Sequence, residues 1–373
     1  MGRELAQPLS VLQVTPRFLP EVGGIETHVF EVSSRLARLG ISVEILTTDA
    51  TGDLPPRDRI GGVPVSRVPA WPRGMDYHIA PGIYQRIRRG SWDVIHVQGI
   101  HTMVPPLAMA AARRAGMPYV VTFHTGGHSS WVRSHVRPLQ WLALRPLLRG
   151  ASRLIGVSRF ERDVFRRGLS LASHRFAVIR NGTEIATEVA PNSLGPVDPN
   201  LVVSVGRLER YKGHWRLVEA LPTLRRKRPG TRLRIVGDGP DRELLLRRAE
   251  ELGVGPYVEI EAIPIEDRAS LVQLLSRASV FALLSEYEAH AIAVMEAVGL
   301  GRPVVVADAT GLREVAQMGW ARPIPVTSPS EHVAAVLLEE MDRGGRPPVD
   351  VPTWDHAASA LASIYHEVAA RRP

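Results

Sequence analysis

The sequence predicts two doubly wound α/β domains, each built on a parallel sheet. Three observations carry that expectation. At 373 residues the chain is long for one domain, given roughly 100–200 residues per domain. Short β-branched or aliphatic runs alternate with longer amphipathic segments, as βαβ units do when they pair in parallel. The alternation stops after residues 176–179, crosses 186–200 (with Pro191, Gly195, Pro196 and Pro199 and no periodicity), and then restarts.

In the first half, residues 9–14, 43–47, 93–97, 119–122, 154–157 and 176–179 read as buried strands. Between them, 26–39 and 105–115 carry apolar residues at helical spacing, and Gly40 and Gly116 stand where a helix C-cap would. In the second half, strands at 201–205, 233–236, 258–260, 279–283 and 303–307 are separated by helices near 214–227, 242–252, 266–276 and 291–298. A last amphipathic helix, 354–370, is expected to return to the first domain. The resulting division is 1–190, 191–350 and 351–373. Ligands of open α/β sheets bind beyond the carboxyl ends of the strands. The two sheets are therefore expected to face each other across a cleft, with the site in strand-end loops.

Composition narrows the function classes. With 45% hydrophobic and 23% charged residues, the chain can bury sizeable cores and is neither disordered nor fibrous. It has no cysteine, which removes disulfide scaffolds, zinc–thiolate sites and thiol nucleophiles. No apolar run approaches the about 20 residues of a membrane span, so the expected location is cytoplasmic. The net charge of +8 raises nucleic acid or an anionic membrane as partners. Of the 46 basic residues, however, all but Lys212 and Lys227 are arginine, which reads as codon bias of a GC-rich genome. The arginines are spread over the whole chain, aromatics are few and no nucleic-acid motif is present, so nucleic acid is not expected. Among so many arginines, a lysine marks a place where a compact ammonium is needed.

Three strand ends carry chemistry. The first leads into Glu21-Val22-Gly23-Gly24-Ile25-Glu26, where paired glycines allow close backbone approach and a helix start favours an anion. The second is Gly206-Arg207 followed by Lys212-Gly213. Two fixed cations at a strand end suit a diphosphate, whose charge grows when a phosphate ester bond breaks. The third runs from Glu288 through Ala289-His290-Ala291-Ile292 to Glu296. Small residues there let a ligand reach the amides of a helix start. Glu296 lies six residues past His290, about 9 Å along a helix, the reach from a phosphate to a ribose whose hydroxyls a carboxylate accepts. An idle carboxylate among Ile292, Val294, Met295 and Val298 would be costly.

In this order the pieces resemble the retaining GT-B glycosyltransferases of family 4, the group that includes sucrose synthase and bacterial mannosyltransferases. The resemblance also takes in Thr122-Phe123-His124-Thr125, Ile155-Gly156-Val157-Ser158, Ile179-Arg180-Asn181-Gly182 and Ile235-Val236-Gly237-Asp238-Gly239-Pro240. It implies GT-B architecture and transfer of a sugar from a nucleotide-diphosphate sugar to an acceptor hydroxyl, with retention and without a metal or other cofactor. It further implies that Arg207 and Lys212 grip the diphosphate and that Glu296 holds the ribose. Glu288 would bind sugar hydroxyls, with the amides around His290, Ala291 and Ile292 against sugar and phosphate. Gly23 and Gly24 would approach from the first domain, and His124 would sit beside the anomeric centre. Two departures bear on specificity: the usual Gly-Phe-Gly after the first glutamate is Ala289-His290-Ala291, and a usual glycine is Ala262.

Other readings are set beside this one. The pairs His96/His101 and His124/His128 lack a carboxylate at zinc-ligand spacing, so no metal site is expected. Gly237-x-Gly239 is too short for a dinucleotide fingerprint. A sugar-nucleotide epimerase or a phosphorylase of the same architecture is the alternative, although Lys227, in the polar run 225–228, is a poor Schiff-base lysine. Residues 131–150 interleave Trp131, Trp141 and leucines with Arg133, Arg137, Arg145 and Arg149. That stretch is either a first-domain helix or a peripheral contact with the inner membrane face. Acceptors open at this point are a carbohydrate, a lipid-linked glycan and a small molecule.

Overall fold

The computed structural model describes residues 8–21, 23–74, 78–125, 131–183, 195–264 and 267–371, with backbone alone for 131–139. Val22, His128, most of the expected linker 186–200 and the expected helix start at Glu266 lie outside the described residues. The chain divides into two compact units: Met1–Thr125, Val132–Gly182 and Pro352–Pro373 form one, and Thr183–Val351 belongs to the other.

The first unit carries β1 (Ser10–Val14), α1 (Gly24–Arg38), β2 (Ser42–Asp49), β3 (Arg57–Ile60), β4 (Val63–Pro69), α2 (Pro81–Arg89), β5 (Val94–Gln98), α3 (Val104–Arg114), β6 (Tyr119–Thr122), α4 (Trp131–Gly150), β7 (Arg153–Gly156), α5 (Arg159–Leu169) and β8 (Phe176–Val178). Its sheet order is β3-β4-β2-β1-β5-β6-β7-β8. The sheet is parallel as expected, with one antiparallel pairing, β3 with β4, at its edge. That edge hairpin has little apolar sequence to announce it: β3 reads Arg-Asp-Arg-Ile, and Pro64 and Pro69 argue against a strand in β4.

β1 is the hinge of the topology. β2 pairs on one side of it and β5 on the other, so the strand order reverses there and its carboxyl end is where a ligand crevice forms. β1 and β5 are both covered on their two faces, and their aliphatic positions are fully buried. Within those strands Gln13, His96 and Gln98 are also fully buried, polar groups that must find partners inside.

The second unit carries β9 (Leu201–Val205), α6 (His214–Lys227), β10 (Arg232–Val236), α7 (Arg242–Glu251), β11 (Val258–Glu261), α8 (Arg268–Arg277), β12 (Val280–Leu283), α9 (Ile292–Gly299), β13 (Val304–Ala307), α10 (Thr310–Gln317), β14 (Arg322–Ile324) and α11 (Ser330–Arg343). The order β11-β10-β9-β12-β13-β14 is parallel throughout, and β9 occupies the reversal point that β1 holds in the first unit.

The last helix, α12 (Trp354–Ala370), belongs to the first unit and packs on α1. Its Thr353 N-cap accepts from the His356 amide at 3.2 Å, fixing the helix start. Trp354, Ala358, Leu361 and Tyr365 form its buried stripe.

Candidate active site

In the second unit the site grows from the carboxyl ends of β9 and β12. The β9 strand ends at Gly206, whose amide donates to Val236 at 2.9 Å, and Leu208 donates to Asp238 at 2.9 Å. The loop carrying Arg207 thus runs along the 237–239 segment as an extra pair of backbone hydrogen bonds. A Cβ on Gly237 would lie 2.0 Å from the Gly206 carbonyl oxygen, so this glycine serves backbone packing under the Arg207 loop.

The chain then makes a single 3-10 turn, Arg210–Lys212, and enters α6 through Gly213 in the left-handed region at φ 75°. A Cβ there would meet the Leu284 carbonyl oxygen at 2.1 Å. The same turn is stitched to the loop after β12: the Glu286 amide donates to Tyr211 O at 2.7 Å, and the Ser285 hydroxyl reaches it at 3.2 Å. The far side of that loop is held by α10, since Thr310 Oγ1 accepts from the Glu288 amide at 2.9 Å and Gly311 donates to Glu288 O at 2.8 Å.

These backbone ties bring Lys212 and Glu288 together. Lys212 Nζ donates to Glu288 Oε1 at 2.6 Å, with both side chains mostly buried (16% and 10% exposed). Burial acts to lower the ammonium's pKa; the Glu288 carboxylate and then Tyr211 outweigh it, so Lys212 is held charged above the usual lysine range. Arg207 is more open, 54% exposed, and pairs with Glu209 at 3.2 Å. His214, buried beside Lys212 at the start of α6, bonds Ser204 Oγ at 3.0 Å. Burial, reinforced by the Lys212 charge, pushes its pKa down to about 4. The site is thereby positive at Lys212 without gaining a second charge at the adjacent imidazole.

Helix α9 begins after Ala291, which offers no side-chain acceptor, so the first-turn amides of Ile292 and its neighbours are available to an anion. His290 is half-buried just before it. Glu296, 1% exposed on α9, forms an ion pair with Arg268 of α8. The carboxylate is thus not idle in its apolar setting: an arginine that sequence spacing did not single out covers it.

Gly23, Gly24 and His124 lie in the first unit. Gly23 is the extended N-cap of α1, and a Cβ on Gly24 would touch nothing within 4 Å. His124 follows β6 in the left-handed region, φ 47°, and is 7% exposed. Its neighbours hold it in that conformation. Phe123 stacks on Phe165 of α5 with centroids 3.7 Å apart. The fully buried Glu161 accepts from both the amide and hydroxyl of Thr125 at 2.6 Å and from the Val157 amide at 2.8 Å. Burial raises the Glu161 carboxyl pKa against the pull of those donors.

The His124 ring meets Gln98 Oε1 at 2.8 Å through Nε2 and abuts His28 edge-on at 4.6 Å. Burial, followed by the neighbouring His28, His96 and His101, pushes its pKa well below the usual histidine range. His124 is therefore a neutral hydrogen-bonding group near neutral pH. Among the described residues no group of three or more His, Cys, Asp or Glu is arranged to hold a metal ion, and no helix is long and apolar enough to cross a membrane.

Residues that sequence reading missed are Glu209, His214, Arg268, Glu161, Gln98 and Tyr365. Two of them had a local signal: Gln98 is polar in a largely aliphatic strand, and Ser158-x-x-Glu161 has the capping-box spacing, with Ser158 capping α5.

Comparison with known proteins follows this division. Residues 22–187 match the family described as Glycosyltransferase Family 4, and 187–337 match Glycosyl transferases group 1. The chain is 26% identical to the GDP-mannose:cellobiosyl-diphosphopolyprenol alpha-mannosyltransferase of Komagataeibacter xylinus, over 98% of this chain and 95% of that one. In fold it is similar to sucrose-phosphate synthase from Thermosynechococcus elongatus, with a TM-score of 0.76 at 18% identity over 97% and 99% of the two chains. It is also similar to Anabaena HepE in complex with UDP-glucose, with a TM-score of 0.70 at 19% identity over 97% and 98%.

Proposed function

Since the chain belongs to glycosyltransferase family 4 (glycosyl transferases group 1), a GT-B family of retaining enzymes that draw on nucleotide sugars, we propose that its second unit binds a UDP- or GDP-sugar without a metal ion and passes the sugar, with retention, to a lipid-linked glycan. The observation that carries the donor half is the Lys212–Glu288 pair, 2.6 Å apart at the strand-order reversal. It stands at the turn that follows the Arg207 loop, and Glu288 shortly precedes the start of α9.

An ammonium has three donors, so Lys212 can keep Glu288 and still reach a diphosphate. Glu288, fixed through its own backbone by α10, then has oxygens to spare for sugar hydroxyls. Glu296 takes the ribose once Arg268 yields. As the C1–O bond to the diphosphate breaks, its electron pair passes to phosphate oxygen. Arg207, Lys212 and the α9 amides around Ala291 and Ile292 offset the growing charge. The acceptor hydroxyl forms the new bond to C1 on the same face and gives its proton to the departing phosphate oxygen. His124, neutral and rigidly held, bonds a sugar hydroxyl beside C1, and Gly23-Gly24 present backbone amides, with open space at Gly24 and the Glu26 carboxylate beside Gly23.

The lipid-linked acceptor is supported by the relative from Komagataeibacter xylinus, whose name gives a diphosphopolyprenol acceptor. It fits a protein that works at the cytoplasmic membrane face, but the described part of 131–150 is a packed first-unit helix. Leu144 and Leu148 are buried in the core and Trp141 packs on Phe165 at 4.7 Å, so this stretch does not carry the membrane contact; the side chains of 131–139 lie outside the described residues.

The test is a thermal-shift series against UDP, GDP, ADP and dTDP, with and without EDTA, on the wild type and Lys212→Ala. A nucleotide at 100 times its Kd adds about 2.7 kcal/mol. Stabilisation by UDP or GDP that EDTA leaves unchanged and that the variant loses is the expected result. No shift with any nucleotide overturns the donor reading, and a shift abolished by EDTA overturns its metal-free form.

A further inference from the structure

A continuous chain of buried polar groups joins the C-terminal helix to His124. Tyr365, fully buried on α12, stands between two strands of the first sheet. Gln13 Nε2 of β1 donates to its hydroxyl at 2.9 Å, and the hydroxyl contacts His96 Nδ1 at 2.5 Å. Gln98 Nε2 donates to Gln13 Oε1 at 2.7 Å, and Gln98 Oε1 meets His124 Nε2 at 2.8 Å. At the other end His96 Nε2 meets Thr122 Oγ1 at 2.8 Å. Gln13, His96, Gln98, Thr122 and Tyr365 are each 0% exposed.

In such a chain the donors and acceptors determine one another. With Gln13 giving a proton to the Tyr365 oxygen, the Tyr365 hydroxyl must give its own to His96 Nδ1, and His96 then donates from Nε2 to Thr122. In the same orientation Gln98 turns its carbonyl to His124, which must donate from Nε2. The one other self-consistent arrangement reverses every link together and puts the proton of both rings on Nδ1. Tyr365 is the turning point in either direction, because a single hydroxyl accepts on one side and donates on the other. The same helix reaches His124 by a second route: Trp354 packs edge-on to His28 at 5.8 Å, and His28 packs edge-on to His124 at 4.6 Å. His28 is itself anchored by Asn181 at 2.9 Å.

We propose that α12 is a positioning element for His124: through Tyr365, Gln13 and Gln98 it fixes the imidazole as the Nε2–H tautomer and leaves Nδ1 as the acceptor. The tautomer is a property of the free protein; its kinetic consequence rests on the reading of His124 as the group beside the donor sugar. Tyr365 and Gln98 act through His124 and are positioning residues.

The test is histidine-selective 15N labelling with long-range proton–nitrogen correlation on the full chain without ligand, the His124 signals being assigned with a His124→Asn variant. The wild type is expected to show one Nε2–H tautomer at His124 and the same tautomer at His96. Tyr365→Phe removes the turning hydroxyl and is expected to give mixed tautomers at both rings. Gln98→Leu, of similar volume, is expected to give mixed tautomers at His124. Gln98 Nε2 also lies 3.3 Å from His96 Nδ1 and 3.4 Å from its Nε2, so the His96 signals shift as well while its Nε2–H tautomer, set by Tyr365, is kept. A mixed or Nδ1–H tautomer at His124 in the wild type overturns the proposal, and that measurement needs no variant to fold. An unchanged His124 signal in folded Tyr365→Phe also overturns it. With donor and acceptor in hand, Tyr365→Phe is expected to lower kcat on the order of tenfold with donor KM unchanged. Altered tautomers with an unchanged kcat would remove His124 from the chemistry and leave the positioning intact.

Discussion

The two units answer the same topological situation with opposite chemistry. At the reversal point of the second unit the chain gathers charges in opposed pairs: Lys212 with Glu288, Arg207 with Glu209 and Arg268 with Glu296. At the reversal point of the first it gathers neutral groups: His28, His96, His124, Gln13 and Gln98, all buried and hydrogen-bonded. A fixed cation is worth most where charge develops on a phosphate, whereas a group facing the hydroxyls of a neutral sugar needs direction more than charge. The difference teaches that a buried imidazole kept neutral is a rigid hydrogen-bonding part, while a carboxylate-paired lysine can add a phosphate without first being ionised.

The strongest way to break the comparison is acid. Burial pushes the His28 pKa from 6.5 down to about 4, and His96 and His124 well below the usual histidine range. A histidine depressed in the fold binds its proton first in the unfolded chain. Stability is therefore complete above about pH 6.5 and is lost as pH falls toward the folded pKa. His28 alone accounts for about 3 kcal/mol between pH 6.5 and 4. Glu161, raised by burial, works the other way over its own range. In the second unit, His214 is likewise depressed to about 4. Peptide-resolved hydrogen exchange at pH 7 and pH 5, corrected for intrinsic rates, is expected to show the first unit losing more protection than the second. Equal losses would mean that the imidazole network carries no special share of the first unit's stability.

A second test acts on the charged site through its backbone. Gly213→Ala forces a side chain into φ 75° and against the Leu284 carbonyl oxygen. The left-handed cost alone is roughly 1–2 kcal/mol, and relieving the contact separates the turn from the loop that holds Glu288. A total of roughly 2–4 kcal/mol is expected in denaturant unfolding, with loss of nucleotide binding. Gly24→Ala is the control, since its Cβ has open space: stability should stay within about 0.5 kcal/mol, while donor affinity falls if a ligand approaches that backbone. Equal destabilisation by the two would remove the argument that Gly213 couples Lys212 to Glu288.

How much of this could be read from the residues follows from the range of the forces involved. Strands such as 201–205 and 303–307 announced themselves because a covered parallel strand is a run of aliphatic residues. The hairpin of β3 and β4 did not, being charged on one strand and proline-bearing on the other. Helices α10 and α11, over Thr310–Gln317 and Ser330–Arg343, follow the last strand that the sequence predicts, and no expectation covers them. Lys212 and Glu288 were legible one at a time, each at a strand end; their contact spans 76 positions and depends on Gly213 and Tyr211 backbone geometry. The network around His124 spans up to 352 positions, from Gln13 to Tyr365. Its one trace in the sequence is the presence of Gln13, His96 and Gln98 in strands otherwise aliphatic, where a polar residue must have a partner that the sequence does not name.

The smallest expected effect sharpens the comparison most finely, because it separates charge from structure within the second unit. Arg207 is half in solvent and its pair with Glu209 spans 3.2 Å; such exposed pairs are worth about 0.2–1 kcal/mol. Glu209→Gln should therefore move unfolding by less than about 0.5 kcal/mol. It also frees the guanidinium from a competing anion. Donor KM is expected to fall a few-fold at low ionic strength, with the gain shrinking as salt screens the site. A rise in KM instead would mean that Glu209 aims Arg207 at the diphosphate. The pairing would then be a positioning device of the same kind as Gln98 on His124, and the division between a charged unit and an oriented one would no longer hold at this residue.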